Sequence, residues 1–176
     1  SARSLRERIE SCKPKIIVTA DGFYRNGRVI NLKSVCDEAL FGEGCDCVES
    51  VIVVHRAGVE LDMVEPRDLR YEDLIRQERP QAPTEVMDAE DPLFLLYTSG
   101  ATGKPKGLLH THGGYMVGVH STYRWVMDVK PTDLYLCTAD PGWITGHSYV
   151  VFGPLMAGTT VVLYEGHPLY PQADRL

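Results

Sequence analysis

The densest chemical signal is the run Tyr97-Thr98-Ser99-Gly100-Ala101-Thr102-Gly103-Lys104-Pro105-Lys106-Gly107. Its glycines let the backbone approach a ligand and turn N–H groups toward it. Thr98, Ser99 and Thr102 add hydroxyl donors, and Lys104 and Lys106 add positive charge. Many donors and two cations at close range suit polyphosphate. The run is not a Walker A loop, which needs a glycine where Thr98 stands and Ser or Thr where Pro105 follows the lysine. An exposed glycine-rich hairpin turn is the plain alternative, and the clustering of hydroxyls and lysines favours the phosphate reading over it.

Four further groups could do chemistry. Trp143 beside Gly142 is a bulky wall on a flexible turn, which suits a gate, but taken alone the default reading of Trp143 and Ile144 is core packing under a loop. Arg25 and Arg28 stand three apart on the tight turn Gly22–Arg28, where guanidinium groups can converge on one phosphate, but two arginines on a surface loop are more often just solvated. His110 and His112, two apart on a strand, would share a face as a metal pair does. No third ligand is evident, so both read as polar residues at a strand end. Cys45 and Cys47, with Cys36 nearby, do not match a common zinc spacing and have no close histidine, so they read as free thiols.

These residues must be positioned by a fold, and the hydrophobic pattern gives its class. Continuous apolar or β-branched runs at 15–20, 51–54, 93–97, 107–110, 134–137 and 159–164 read as strands. Segments 5–12, 32–40, 69–79, 114–127 and 147–156 read as helices, the last weakened by Pro154. Pro80, Pro83 and Pro92 mark an extended connector. Strands alternating with helices imply an α/β fold with a largely parallel sheet flanked by helices. The unbroken apolarity of Val51–Val54 predicts a strand covered on both faces.

The chain has 176 residues, 44% hydrophobic and 24% charged, with a net charge of -6. That is ordinary for a globular α/β domain, and it argues against a nucleic-acid partner. The most apolar stretch, 149–164, is broken by Gly153, Pro154 and Gly158, so a membrane span is not expected. Five scattered cysteines suggest reduced thiols and a cytoplasmic location. Ser1 in place of Met, and an end at Pro171–Leu176 without a stop-like element, give the expectation that both ends are cut from a longer chain.

The run Thr98–Gly107 resembles the signature phosphate loop of the adenylate-forming superfamily, which includes acyl-CoA synthetases, peptide-synthetase adenylation domains and luciferases. Ala101 departs from the usual Ser or Thr and removes one hydroxyl. Glu90-Asp91-Pro92-Leu93-Phe94, His110-Thr111-His112-Gly113-Gly114-Tyr115 and the run Cys137–Tyr149 are similar to the acetyl-CoA synthetase subgroup, with His112 and Pro141 where other residues are more usual.

The resemblance implies a two-step reaction. A carboxylate attacks the α-phosphate of ATP, giving acyl-adenylate and pyrophosphate, and the thiol of CoA then attacks the acyl carbon. By the same resemblance Thr98, Ser99, Gly100, Thr102, Gly103 and Lys104 hold the β- and γ-phosphates, with Mg²⁺ sharing the charge. Lys106 is left open between that role and a solvated loop lysine. Trp143 is the implied aromatic gate, and Ile144 and Thr145 line the acyl pocket, their branched chains leaving room for a short acid such as acetate or propionate. Arg25 and Arg28 are implied to grip the 3′-phosphate of CoA.

The family's Tyr-Gly-x-Thr-Glu stretch with its Mg²⁺-holding Glu, the ribose-binding Asp and the C-terminal domain with its catalytic Lys are not in this sequence. Residues 1–176 are therefore expected to be part of an N-terminal AMP-binding domain, without activity alone. A non-catalytic nucleotide-binding module is the alternative.

Overall fold

The computed structural model describes residues 1–98 and 105–174. The first helix, α1 (Ala2–Cys12), starts three residues earlier than its apolar spacing predicts, because Ser1 caps it and accepts from the Ser4 N–H. It ends at Lys13, which takes the left-handed conformation at φ 49°. Then follow β1 (Ile16–Ala20), the hairpin strands β2 (Gly22–Arg25) and β3 (Arg28–Asn31), α2 (Leu32–Leu40) and β4 (Ser50–Val54). Asn31 caps α2 by accepting from the Ser34 N–H at 2.8 Å. A short β5 (Asp68–Arg70) leads directly into α3 (Tyr71–Gln77).

β1, β4 and β5 form a parallel sheet with β4 in the centre. Cys36 from α2 packs with Val51 and Val53 of β4, joined by Leu5, Ile17, Leu40, Val48, Leu61 and Met63. Burial along β4 alternates, and Ile52 and Val54 are only half-buried. On β1, Ile16 and Val18 stand 55% and 67% exposed. Cover on both faces, expected from the apolar run, is thus not what this sheet has here: the α1–α2 side is packed and the other is open.

The rest of the chain comprises β6 (Pro92–Thr98), β7 (Lys106–Thr111), α4 (His112–Trp125), β8 (Leu134–Leu136), α5 (Ile144–Gly146), a π-helical turn at His147–Phe152, α6 (Gly153–Ala157) and β9 (Thr160–Val162). β6 pairs with β7, and β8 runs parallel to β9. The helix expected at 147–156 therefore begins at Ile144 and contains a π turn. Pro154 is accommodated because it falls in the first turn of α6, where its missing N–H costs least. With parallel strands and flanking helices the fold is α/β, as the alternation of elements implies.

By their internal contacts the residues divide into two units. The first comprises Ser1–Thr84, Tyr97–Gly107 and Leu169–Leu176, the second Glu85–Leu96 and Leu108–Pro168. Among the described residues no helix is long and apolar enough to cross a membrane.

Candidate functional site

In the first unit the chemistry gathers where β1 and β4 end. Asn26 and Gly27, at φ 50° and 73°, make the two-residue turn between β2 and β3. Positive φ at both positions matches the twist of a tight hairpin, and Asn-Gly is the pair that tolerates it best. The turn places Arg25 and Arg28 directly opposite each other. Both are exposed. Two like charges in opposed hairpin positions repel unless an anion sits between them. Sequence reasoning placed these arginines on a tight turn but missed the strands on either side, although Asn26-Gly27 was signal enough.

Asp21 lies between β1 and β2 and is wholly buried. Its carboxylate accepts from the backbone N–H groups of Gly22 at 2.6 Å, Arg56 at 2.9 Å, Ala57 at 2.9 and 3.1 Å, and Val59 at 3.0 Å. Burial alone would push its pKa up. The donated hydrogen bonds outweigh that and hold the carboxyl far below the usual carboxylate range. Nothing in the sequence pattern singled out this residue: it read only as the end of a strand.

A second polar cluster fixes the same sheet. The Lys33 ammonium is 2% exposed and lies 2.6 Å from Asp37 and 2.7 Å from the fully buried Asp68 carboxylate. It also donates to the Asp62 carbonyl at 3.0 Å. Arg67 pairs with Asp37 and Asp68, each at 2.6 Å. Burial works against the Lys33 ammonium, but its two carboxylates prevail and raise its pKa above the ordinary value. This cluster joins α2 to β5 and is structural.

In the second unit two of the motif strings meet. The α4 N-terminus lacks a side-chain cap; instead His112 N–H donates to the Asp91 carbonyl at 3.1 Å and Gly113 N–H to the Ala89 carbonyl at 2.8 Å. A Cβ on Gly113 would stand 2.7 Å from the Cβ of Ala89, so the close approach needs glycine. His110 ends up against Phe94 and Tyr115, with ring centroids 4.9 and 5.3 Å away. His112 has left the strand for the helix, so the two histidines do not form the shared face their spacing predicts. Among the described residues no group of three or more His, Cys, Asp or Glu side chains is arranged to hold a metal. The five cysteines are free; Cys36 and Cys45 are buried, and the Cys45 thiol lies 3.5 Å from the Ala39 carbonyl.

A cleft of about 480 Å³ opens in this unit, lined among others by His110, Gly114, Tyr115, Ile144, Ser148 and Tyr149. Phe94 and Phe152 pack against Tyr115 in its wall, and the Tyr115 hydroxyl lies 2.9 Å from Ser148 Oγ. The predicted acyl residues come at its edge: Ile144 lines it, whereas Trp143, 69% exposed, and Thr145 are open to solvent. Asp140 builds the turn before them, accepting from Gly142 N–H at 2.7 Å through its side chain and from Trp143 N–H at 3.1 Å through its carbonyl. Gly146 presses on the Asp140 carbonyl so closely that no Cβ would fit. His147 donates from Nδ1 to the Trp143 carbonyl at 3.0 Å. Tyr115, Ser148 and Asp140 were legible only as members of a motif, with no role attached.

Of the phosphate run, Thr98 ends β6 and Lys106 opens β7, both exposed. Ser99, Gly100, Ala101, Thr102, Gly103 and Lys104 lie outside the described residues. The run thus spans the link between two paired strands.

The family model described as AMP-binding enzyme matches residues 1–176, and the chain belongs to that family. It is 53% identical over 175 residues to the acetyl-coenzyme A synthetase of Rubrobacter xylanophilus, covering 99% of this chain and 27% of the relative. To that of Methanothrix thermoacetophila it is 51% identical, covering 99% of this chain and 26% of the relative. Among solved structures, the acetoacetyl-CoA synthetase from Streptomyces lividans superposes with a TM-score of 0.84 at 27% identity, over 99% of this chain and 26% of that one. The chain therefore spans about a quarter of the length of the relatives it matches.

Proposed function

We propose that this chain is part of the N-terminal AMP-binding domain of an AMP-forming acetate–CoA ligase. That enzyme activates acetate with ATP to acetyl-adenylate and passes the acetyl group to CoA. The observation that carries the reading is identity above one half, with almost no gap in coverage, to an acetyl-coenzyme A synthetase. In this reading Thr98, Ser99, Gly100, Thr102, Gly103 and Lys104 hold the β- and γ-phosphates, where backbone donors and a cation offset developing charge. Mg²⁺, when bound, neutralises phosphate charge. Its carboxylate ligand is not among the motifs of this chain, so the residues here do no more than orient the phosphates beside it.

Trp143, Ile144 and Thr145 bound the acyl site. Ile144 lines the cleft with Tyr115, and its branched side chain suits a short acyl chain, so propionate is the competing substrate. Arg25 and Arg28 hold the 3′-phosphate of CoA, which relieves the repulsion between them. The working enzyme is read as cytoplasmic, with small-molecule partners only.

Half-reactions test these roles in the full-length protein. Lys104→Ala should lower acetate-dependent ATP–pyrophosphate exchange by about a hundredfold or more, the scale of losing one charge-stabilising group. Arg25→Ala should raise KM for CoA and leave exchange intact. Equal damage by both variants to both half-reactions would overturn the assignments. The 176-residue chain alone, lacking the ribose-binding Asp and the catalytic Lys, is expected to catalyse no exchange.

A further inference from the structure

Asp21 does more than end a strand. Its backbone N–H donates to the Val54 carbonyl at 2.9 Å, and its carbonyl accepts from Leu32 N–H at 3.0 Å. Gly22, whose N–H it holds, is the first residue of the hairpin, and Leu32 follows the last. One buried residue therefore closes both feet of the arginine hairpin. Its carboxylate also collects the N–H groups of Arg56, Ala57 and Val59, so the loop after β4 is wrapped around it as a nest is around an anion.

That loop in turn supports the hairpin along its length. The Tyr24 hydroxyl donates to the Ala57 carbonyl at 3.3 Å, and the Arg56 guanidinium lies over the Tyr24 ring at 5.9 Å. A Cβ on Gly22 would stand 3.0 Å from Val59 Cγ2 and 2.7 Å from the Ile30 carbonyl, so hairpin and loop meet without slack. At the far end, a Cβ on Gly27 would collide with the Tyr170 hydroxyl. The turn bearing the arginines is thus held at its tip as well as at its base.

We infer that Asp21 is a positioning residue for anion capture: by locking the β4–β5 loop to the base of the hairpin it fixes the direction in which Arg25 and Arg28 meet a phosphate. This rests on the reading of those arginines as the grip on the 3′-phosphate of CoA. A guanidinium pair recognises phosphate by its planar fork, so its energy depends on orientation and not on charge alone. Loosening the base should cost affinity for the 3′-phosphate while leaving the charge of the hairpin unchanged.

The test uses the full-length protein and two thiol substrates, CoA and dephospho-CoA, which lacks the 3′-phosphate. Asp21→Asn keeps the size but removes the negative charge from a nest of four N–H groups. It should raise KM for CoA about tenfold, a loss of one charge-assisted orientation. KM for dephospho-CoA, kcat and the ATP–pyrophosphate exchange should stay within about twofold. Tyr24→Phe, at an exposed residue, removes only the bond to Ala57 and should raise KM for CoA by a smaller factor in the same selective way.

An unchanged KM for CoA in folded Asp21→Asn, or equal losses with both thiols and in exchange, overturns the inference. If Asp21→Asn does not fold, Tyr24→Phe decides, and an unchanged KM there overturns it too. Arg25→Ala separates the two layers. If it leaves KM for CoA unaltered, the reading of the hairpin itself falls; if it raises KM while Asp21→Asn does not, only the positioning role falls.

Discussion

The two units of this chain solve the same problem, holding their turns still, with opposite chemistry. The first uses buried charge. The Asp21 carboxylate is held by four backbone N–H groups with His55 Nδ1 3.4 Å away, and Lys33 is enclosed by Asp37, Asp68 and the Asp62 carbonyl. The second uses rings: Phe94, Tyr115 and Phe152 meet at 4.9 to 6.1 Å, and Tyr123 meets Tyr135 at 4.9 Å. Charge in a dry site is unforgiving, because an unpaired partner cannot recover its hydration. Ring packing is graded, and each contact is worth a modest amount. Capture of a phosphate demands fixed direction, whereas a short acyl chain demands only shape. The two kinds of framework match the roles proposed for Arg25, Arg28 and Ile144.

The sharpest way to break the contrast is Lys33→Ala. It leaves the Asp68 carboxylate buried with Arg67 as the remaining cation, and should cost about 3–5 kcal/mol, read as a shift in urea midpoint. A cost near zero would mean that water or Arg67 fills the gap and that the charged cluster is no stricter than the rings. Gly153→Ala attacks the second unit by crowding, since its Cβ would stand 2.5 Å from the Ser148 carbonyl and 3.1 Å from Tyr123 Cδ2. About 1–3 kcal/mol is expected, again from the urea midpoint. Tyr115→Phe removes only the hydroxyl contact with Ser148 and should cost about 1 kcal/mol.

The contrast should also appear as a difference in pH response. The Asp21 and Asp68 carboxyls both titrate below their ordinary value of 3.8 in the folded state. Their contribution is complete above that value and is lost as pH falls below it, since the unfolded chain binds protons first. At the alkaline end, burial pushes the Cys36 thiol from 9.0 up to about 11, so between those values the folded state holds the proton longer and stability declines as pH rises. Hydrogen exchange on β4 amides, corrected for its intrinsic pH dependence, should therefore accelerate at both extremes. Amides of α4 should respond mainly as pH rises from 10.0 toward about 12, the interval in which buried Tyr123 still holds its proton and an unfolded tyrosine has lost it. Equal acid sensitivity in both units would dissolve the comparison.

Which parts are legible in the sequence follows from the kind of information each needs. The long helices and the apolar strands β1, β4, β6 and β7 announce themselves by local periodicity. β5 does not: Asp68, Leu69 and Arg70 hold no apolar run, and only pairing with Val51–Val53 makes them a strand. Lys33 reads as one charge on an amphipathic helix, because Asp62, Arg67 and Asp68 are remote in sequence and gather around it only after β4 and α2 have packed. The motif strings are legible as belonging together, but the manner is not: the Phe94 ring packing on His110 and Tyr115, with His112 N–H bonded to the Asp91 carbonyl, gives the physical reason that two of them coexist. Asp21 is invisible because its hydrogen-bond donors are backbone N–H groups, which every sequence has, and the one side chain beside it, His55, is remote in sequence.

The π turn at His147–Phe152 bears on how the chain can change length. A π turn carries one residue more than an α turn needs, and so looks expendable. Deleting any one residue there would remove the π turn, but it would set Pro154 inside an α-helical run, where its ring and missing N–H are costly, and would rotate one end against the other by about 100°. Ile144 faces the cleft on one side of the turn, and Gly153 fits against Tyr123 on the other. Both fits cannot survive that rotation. The spare residue is a phase adjuster between two surfaces, so a one-residue deletion in this segment should be tolerated far less well than a substitution at the same positions.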